Sequence, residues 1–441
     1  MDRGQALKRF TLPRWGIGGY HRNVYLMLLF TLGKGFQISI AALTTNLYVY
    51  SLGYRQEFIG LVAAVPAIGA FVAALPIGLL ADRWGRKPVL VVSGFLNPLA
   101  LAAIALSTTP TALLLASLAN GLLSGGYWVT NLPVLTESTR DDQRVGALAL
   151  NSFLLLGVGA LGALVGGFVP EVAGALLHTP ANGVVPLRWG LLAAAILVFL
   201  PALPLVWLDE PRGRARAVSA AGTPLVSELH SPSAEAAALG AALAAPSDPP
   251  DPAGRRATVA LFLKLLIPDA LFNVGEGAVA GLLQVFFFLR FGLQPGQLGV
   301  LFTIAGLTGG VTSLLSPRLV RRWGSLRTAT AMQYLSVPAM LLIGFTPLFP
   351  MSAGAEFARR ILRGFFDPVY SAFAMQSVSR RLRATLSGFY STTWAVGFTL
   401  GPALAGLLQQ RVSLSASFVV GALCVAVSAT LLRVFFGRGV R

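Results

Sequence analysis

The chain has a single cysteine, Cys424, in its last apolar run. This excludes a disulfide within the chain and any cysteine metal site. Its three histidines, His21, His178 and His230, lie in tails or loops without ligand spacing, so no metal centre is expected. No nucleophile, base or metal constellation stands at useful spacing, so neither an enzyme nor a cofactor is expected. Charge is scarce too: Asp, Glu, Lys and Arg make up 12% of the residues, against about 25% in a soluble domain. Acidic residues are the scarcer sign, 17 against 34 basic, for a formal charge of +17. Such an excess points first to nucleic acid, but no RNP-type or finger motif accompanies it. The first 20 residues are basic and lack a short apolar run with a small-residue cleavage site, so no cleaved signal peptide is expected.

What the chain has in excess is apolar residues, 55% of 441. Many runs reach the roughly 20 residues that cross a bilayer, so an all-α protein of many membrane spans is expected. Twelve helices are predicted, over 22–50, 57–81, 89–108, 111–137, 144–170, 187–208, 258–289, 296–317, 326–346, 350–378, 384–410 and 413–436. The surplus basic residues then fall mostly on one side of the membrane. Only Arg55, Arg188, Arg290 and Arg411 occupy loops on the other side. By the positive-inside bias both termini are cytoplasmic and the lipid bilayer is the partner, not nucleic acid. Residues 209–257 are rich in Ala, Pro, Ser and Arg without a sustained apolar face. They read as a flexible cytoplasmic linker between an N-terminal six-helix half, 1–208, and a C-terminal one, 258–441.

An internal repeat supports that division. A shift of 239 positions lays Gly53 on Gly292, Gly60 on Gly299, Trp84 on Trp323 and Gly85 on Gly324. The same shift lays Gly162–Gly167 on Gly401–Gly406. The triplet Gly157, Gly159 and Gly162 imitates a dinucleotide fingerprint, but that motif needs a preceding strand, and inside a span it reads as small-residue packing.

Polar residues inside spans are costly and fall here on stripes. Asn120, Ser124, Tyr127 and Asn131 share one face of the fourth span, and Glu356, Arg360, Arg363, Asp367 and Tyr370 share one face of the tenth. The seventh carries Asp269, Asn273 and Glu276, and the first carries Lys34 and Gln37. Mid-span carboxyls must pair, change protonation or meet a wet cavity. Glu276 is ranked first as proton carrier, Asp367 second and Asp269 third. The competing readings are fixed pairs: Glu276 with Lys34, Asp367 with Arg363, and Asp269 with Lys264 or a loop arginine. Arg360 and Arg363 either fork onto an anionic substrate group or neutralise Glu356 and Asp367. Arg359, off the stripe, reads as structural. Gln37, Asn120, Asn131 and Asn273 either bond the substrate or bridge helices. Tyr127, Trp128, Tyr370, Tyr390 and Trp394 either stack on it or pack.

The charged stretch Gly78-Leu-Leu-Ala-Asp82-Arg83-Trp-Gly85-Arg86-Lys87-Pro-Val-Leu90 lies between two spans. Its G-x-L-A-D-R-x-G-R-K-x-x-L spacing resembles the loop between helices 2 and 3 of the major facilitator superfamily. Two parallel six-helix repeats fit the same family. The resemblance implies a twelve-helix secondary transporter of a small molecule, with helices 1, 4, 7 and 10 lining a central cavity. It implies alternating access, with Gly78, Asp82, Arg83, Gly85, Arg86 and Lys87 as a latch on the outward-facing state. Gly162, Ala163, Gly166 and Gly167 are similar to the G-P-x-x-G-G segment of family antiporters, with Ala163 in place of the proline. On that basis export by proton antiport is the leading expectation, and proton-coupled uptake of a sugar, organic acid or other nutrient the runner-up. A non-transporting sensor of the same fold is the alternative of another class. A monomer is expected.

Overall fold

The structure, a computed structural model, describes residues 19–209, 252–379 and 382–437. The predicted linker at 209–257 lies almost wholly outside the described residues. Twelve helical spans follow in order. In the first half they are α1 Arg22–Ser51, α2 Gln56–Trp84, α3 Arg86–Leu106, α4 Pro110–Glu137, α5 Asp141–Leu177 and α6 Val184–Ala202, the last continued by a 3-10 turn to Trp207. In the second they are α7 Pro252–Phe291, α8 Pro295–Trp323, α9 Ser325–Phe345, α10 Phe349–Ser377, α11 Arg383–Arg411 and α12 Ala416–Phe436. Among the described residues nine of these are long and apolar enough to cross a membrane by length and composition. The other three, α8, α10 and α11, are 29 residues each. Of these, α10 is the most charged, with Glu356, Arg359, Arg360, Arg363 and Asp367.

The repeat is visible in the backbone. Gly53 and Gly292 end helices at φ 90° and 69°, and Gly85 and Gly324 turn at φ 94° and 79°, a region open to glycine at no steric cost. The charged stretch is not a loop as expected. α2 runs through Asp82 and Arg83 to Trp84, α3 begins at Arg86, and Gly85 alone makes the corner.

Two spans are interrupted where a continuous helix was expected. In α5 a π turn, Phe153–Gly157, and a 3-10 turn, Val158–Leu161, separate Asp141–Ser152 from Gly162–Leu177. In α7 the helix stops at Ala280 and restarts at Leu283. The Gly281 carbonyl beside that break accepts Asn46 Nδ2 of α1 at 2.8 Å, which satisfies a backbone group in a place without water.

The halves meet along two helix pairs, α2 with α11 and α5 with α8. Contact is close because glycine lines it: a Cβ on Gly299 would fall 2.5 Å from the Ala163 carbonyl oxygen, and one on Gly60 would fall 3.1 Å from Gly406 Cα. The polar links between the halves gather toward the end of the bundle bearing the α1–α2 turn. Arg411 pairs with Glu57 at 3.1 Å, and Gln410 Oε1 accepts the Glu57 amide at 2.9 Å. Glu171 Oε1 accepts the Gly296 amide at 2.9 Å, Gln284 donates to the Ala42 carbonyl, and Thr303 donates to the Ala160 carbonyl of the 3-10 turn at 3.0 Å.

Candidate functional site

The seventh and tenth spans meet through charge at mid-span. Glu276 of α7 accepts Arg359 Nη1 at 2.5 Å and Arg363 Nη1 at 2.8 Å on one carboxylate oxygen. Arg359 also forks onto Glu356, Nε to Oε2 at 2.7 Å and Nη2 to Oε1 at 2.9 Å. Arg360 Nε reaches Glu356 Oε1 at 2.8 Å, and Arg363 Nε reaches Asp367 Oδ2 at 3.3 Å. Three arginines and three carboxylates thus form one lattice. Its inner members, Arg359, Glu356 and Glu276, are sealed from solvent, whereas Asp367 is 40% and Arg360 33% exposed at their side chains. Its outer members thus give the lattice an exposed edge at mid-span.

Several expected pairings are corrected. Glu276 does not pair with Lys34; its partners are Arg359 and Arg363. Among the described residues Asp269 pairs with neither Lys264 nor a loop arginine. It accepts Asn273 Nδ2 at 3.0 Å and the Thr393 hydroxyl of α11. The Arg363–Asp367 and Arg360–Glu356 pairs form as the stripe suggested. Arg359, read as structural because it lies off the stripe, is together with Glu356 the lattice's most buried member. Its signal in the sequence was its place three residues after Glu356, an (i, i+3) neighbour on a helix.

The first half carries a smaller polar cluster. Asn97 of α3 accepts Lys34 Nζ and Gln37 Nε2 of α1 on its Oδ1, each at 2.8 Å. Its Nδ2 donates to Asn120 Oδ1 of α4 at 2.9 Å. Sequence reasoning missed Asn97, because it is isolated in an otherwise apolar span. Below this cluster Asn131 donates to the Tyr127 hydroxyl, which donates to Thr31, which donates to Asn151 of α5.

The aromatic residues divide. Tyr370 is buried, bonds the Leu265 carbonyl at 2.7 Å and stacks on Phe366, so it ties α10 to α7. Trp394 is half-buried and stacks on Phe398 at 4.7 Å. The Arg363 guanidinium sits 5.8 Å from the Phe398 ring centre. Of the expected latch residues, Gly78 is buried in α2, and Gly85 makes the corner. Arg86 pairs with Glu137 at the end of α4. Asp82 and Arg83 are exposed and Lys87 is half-buried.

The comparisons agree with this architecture. The Major Facilitator Superfamily profile matches residues 25–288 and 269–441. The chain is 23% identical over 424 residues to the multidrug resistance protein MdtG of Dickeya zeae (strain Ech586), a match covering 93% of both chains. It is 28% identical over 145 residues to the multi-drug resistance efflux pump PmrA of Streptococcus pneumoniae, a match that spans 32% of this chain and 36% of that pump's length. Among solved structures, a bacterial homolog of the human lysosomal transporter Spinster, in its inward-facing and occupied conformation, superposes with a TM-score of 0.71 at 16% identity, over 93% of this chain and 95% of that one. Twelve spans in two repeats, a mid-span charge lattice and a profile match along the whole described bundle lead to one assignment: the chain belongs to the Major Facilitator Superfamily, a family of transporters and not of enzymes.

Proposed function

We propose that the protein exports a small organic solute across the cell membrane in exchange for protons. One observation carries the coupling. Every carboxylate of the lattice is held by an arginine, but Asp269 is buried with only neutral donors, Thr393 and Asn273. A carboxylate gripped by two guanidiniums stays ionised, so Glu276 and Glu356 are fixed struts. A buried carboxyl with neutral partners can exist in either protonation state. The proton role therefore passes from Glu276 to Asp269. The charged and titratable groups near it are Arg363 and Asp367 of α10 together with Tyr370.

The export direction draws support from relatives named as multidrug resistance and efflux proteins. On this reading the basic end of the bundle is cytoplasmic, and the polar links between the halves on the far side support an inward-facing state of an alternating-access cycle. In the outward-facing state the Asp82, Arg83, Arg86 and Lys87 corner would close across the cytoplasmic end.

The test is transport in proteoliposomes under an imposed pH gradient, with tetraphenylphosphonium, salicylate and uridine as probe solutes and an internal pH dye. Antiport moves a probe toward the more acidic compartment as that compartment loses protons. Accumulation away from it would reverse the direction to uptake. Probe movement that never displaces protons would end the coupling claim.

A further inference from the structure

We propose that the solute is an organic anion and that its acidic group is received by Lys34 of the first half. This rests on the transport reading above and narrows it to a substrate class.

The observation is a cation without a counter-charge. Lys34 is 3% exposed at mid-span of α1. An ammonium offers three donors, and this one makes a single hydrogen bond, to Asn97 Oδ1. Among the described residues no carboxylate lies within ion-pair reach of it. The lattice of the second half is different: Glu276, Glu356 and Asp367 match Arg359, Arg360 and Arg363 one for one. Lys34 is therefore the mid-span cation that touches no carboxylate among the described residues. An unpaired buried charge is expensive, and an anionic solute group beside Lys34 would supply the pair.

A second observation lies beside it. Gln37 donates to the same Asn97 oxygen, and its own Oε1 is buried without a donor. On α4, Asn131 Oδ1 is also buried without one. A carboxylate brings the acceptor oxygens that Lys34 lacks, and a neighbouring hydroxyl or N–H of the same molecule brings the donor that Gln37 lacks. A lipophilic cation would meet repulsion at Lys34, and a neutral solute would leave its charge uncompensated.

The experiment is a thermal-shift measurement on the purified full-length protein, followed by titration. The probes are salicylate, benzoate and aliphatic carboxylates, each with its neutral amide, together with tetraphenylphosphonium and uridine. Carboxylates are expected to raise the melting temperature and their amides to bind at least tenfold more weakly. Lys34→Arg should keep that preference and Lys34→Met should abolish it. The ligand-free Lys34→Met protein should melt higher than wild type, which a merely structural lysine would not produce and which also shows that the variant folds. The proposal is overturned if no carboxylate binds, if the amides bind equally well, or if Lys34→Met retains the preference. The transport reading fails separately. A cation or nucleoside driven by the pH gradient would keep that reading and sink this inference. A bound anion that moves without protons would do the reverse.

Discussion

Arg359 on α10 and Glu276 on α7 face each other at 2.5 Å, and neither side chain is more than 1% exposed. Removing one partner leaves the other's buried charge with a single counter-ion, Arg363 for Glu276 or Glu356 for Arg359, at a cost up to the ~3–5 kcal/mol of a fully broken buried pair. Arg359→Met and Glu276→Gln should therefore lower the melting temperature sharply. Arg359→Lys should not rescue, because an ammonium cannot reproduce a fork across Glu356 while also reaching Glu276. Thermal unfolding in detergent decides this, and an unchanged melting temperature in all three variants would show that the lattice is not structural.

Asp269→Asn should behave in the opposite way. The amide keeps an acceptor for Thr393 and carries no charge to bury, so the melting temperature should hold. Proton movement in proteoliposomes should disappear while downhill solute exchange continues. A variant that still drives solute against its gradient with protons would remove Asp269 from the coupling role.

At the seam, side chains larger than hydrogen should push the halves apart. Overpacking a tight contact costs about 1–3 kcal/mol, enough to shift a two-state equilibrium. Gly299→Val and Gly60→Val should populate the outward-open form. Because Cys424 is the only cysteine, a Cys424→Ala background permits paired spin labels on the α1–α2 and α7–α8 turns. The distance between those labels should lengthen, and a distribution identical to wild type would contradict the seam's role.

The Glu57–Arg411 pair is exposed, 37% and 63% at its side chains. Exposed pairs contribute about 0–1 kcal/mol. Glu57→Gln should leave the melting temperature nearly unchanged and should alter the spin-label distances less than the glycine variants. A loss of stability as large as that of Arg359→Met would mean that the pair is better shielded than its exposure indicates.

Asp82→Asn should slow turnover without changing which solutes are moved, since the residue is exposed at the α2 end and remote from both polar clusters. Its melting temperature in the inward-facing state should match wild type. Unchanged turnover in solute-flux assays would defeat the latch role.

The fold was largely legible in the sequence because membrane spans announce themselves by length and the repeat by its glycines. Gly53, Gly85, Gly292 and Gly324 aligned by spacing, and all four adopt positive φ. Spacing also placed Glu356, Arg360, Arg363 and Asp367 on one lattice. Partners on different helices were not legible, since a stripe does not fix how far its helix is rotated toward a neighbour. Thus the stripes allow a Lys34–Glu276 pair, whereas Lys34 bonds Asn97. The stripe reads Arg359 as structural but does not name its partners Glu276 and Glu356, because a long side chain reaches around a helix from an adjoining face. The breaks in α5 and α7 have no marker that separates them from ordinary glycine-bearing spans.

Seam and charge fall on different helices. The glycine contacts between halves run through α2, α5, α8 and α11, and the buried charges stand on α1, α7 and α10. If those polar positions read the cargo, as proposed, they can change without disturbing the glycine contacts that join the two halves. On that reading substrate range can evolve apart from the mechanical frame, and exchanging the polar faces of α1, α4, α7 and α10 between relatives should transplant selectivity while leaving the motion intact.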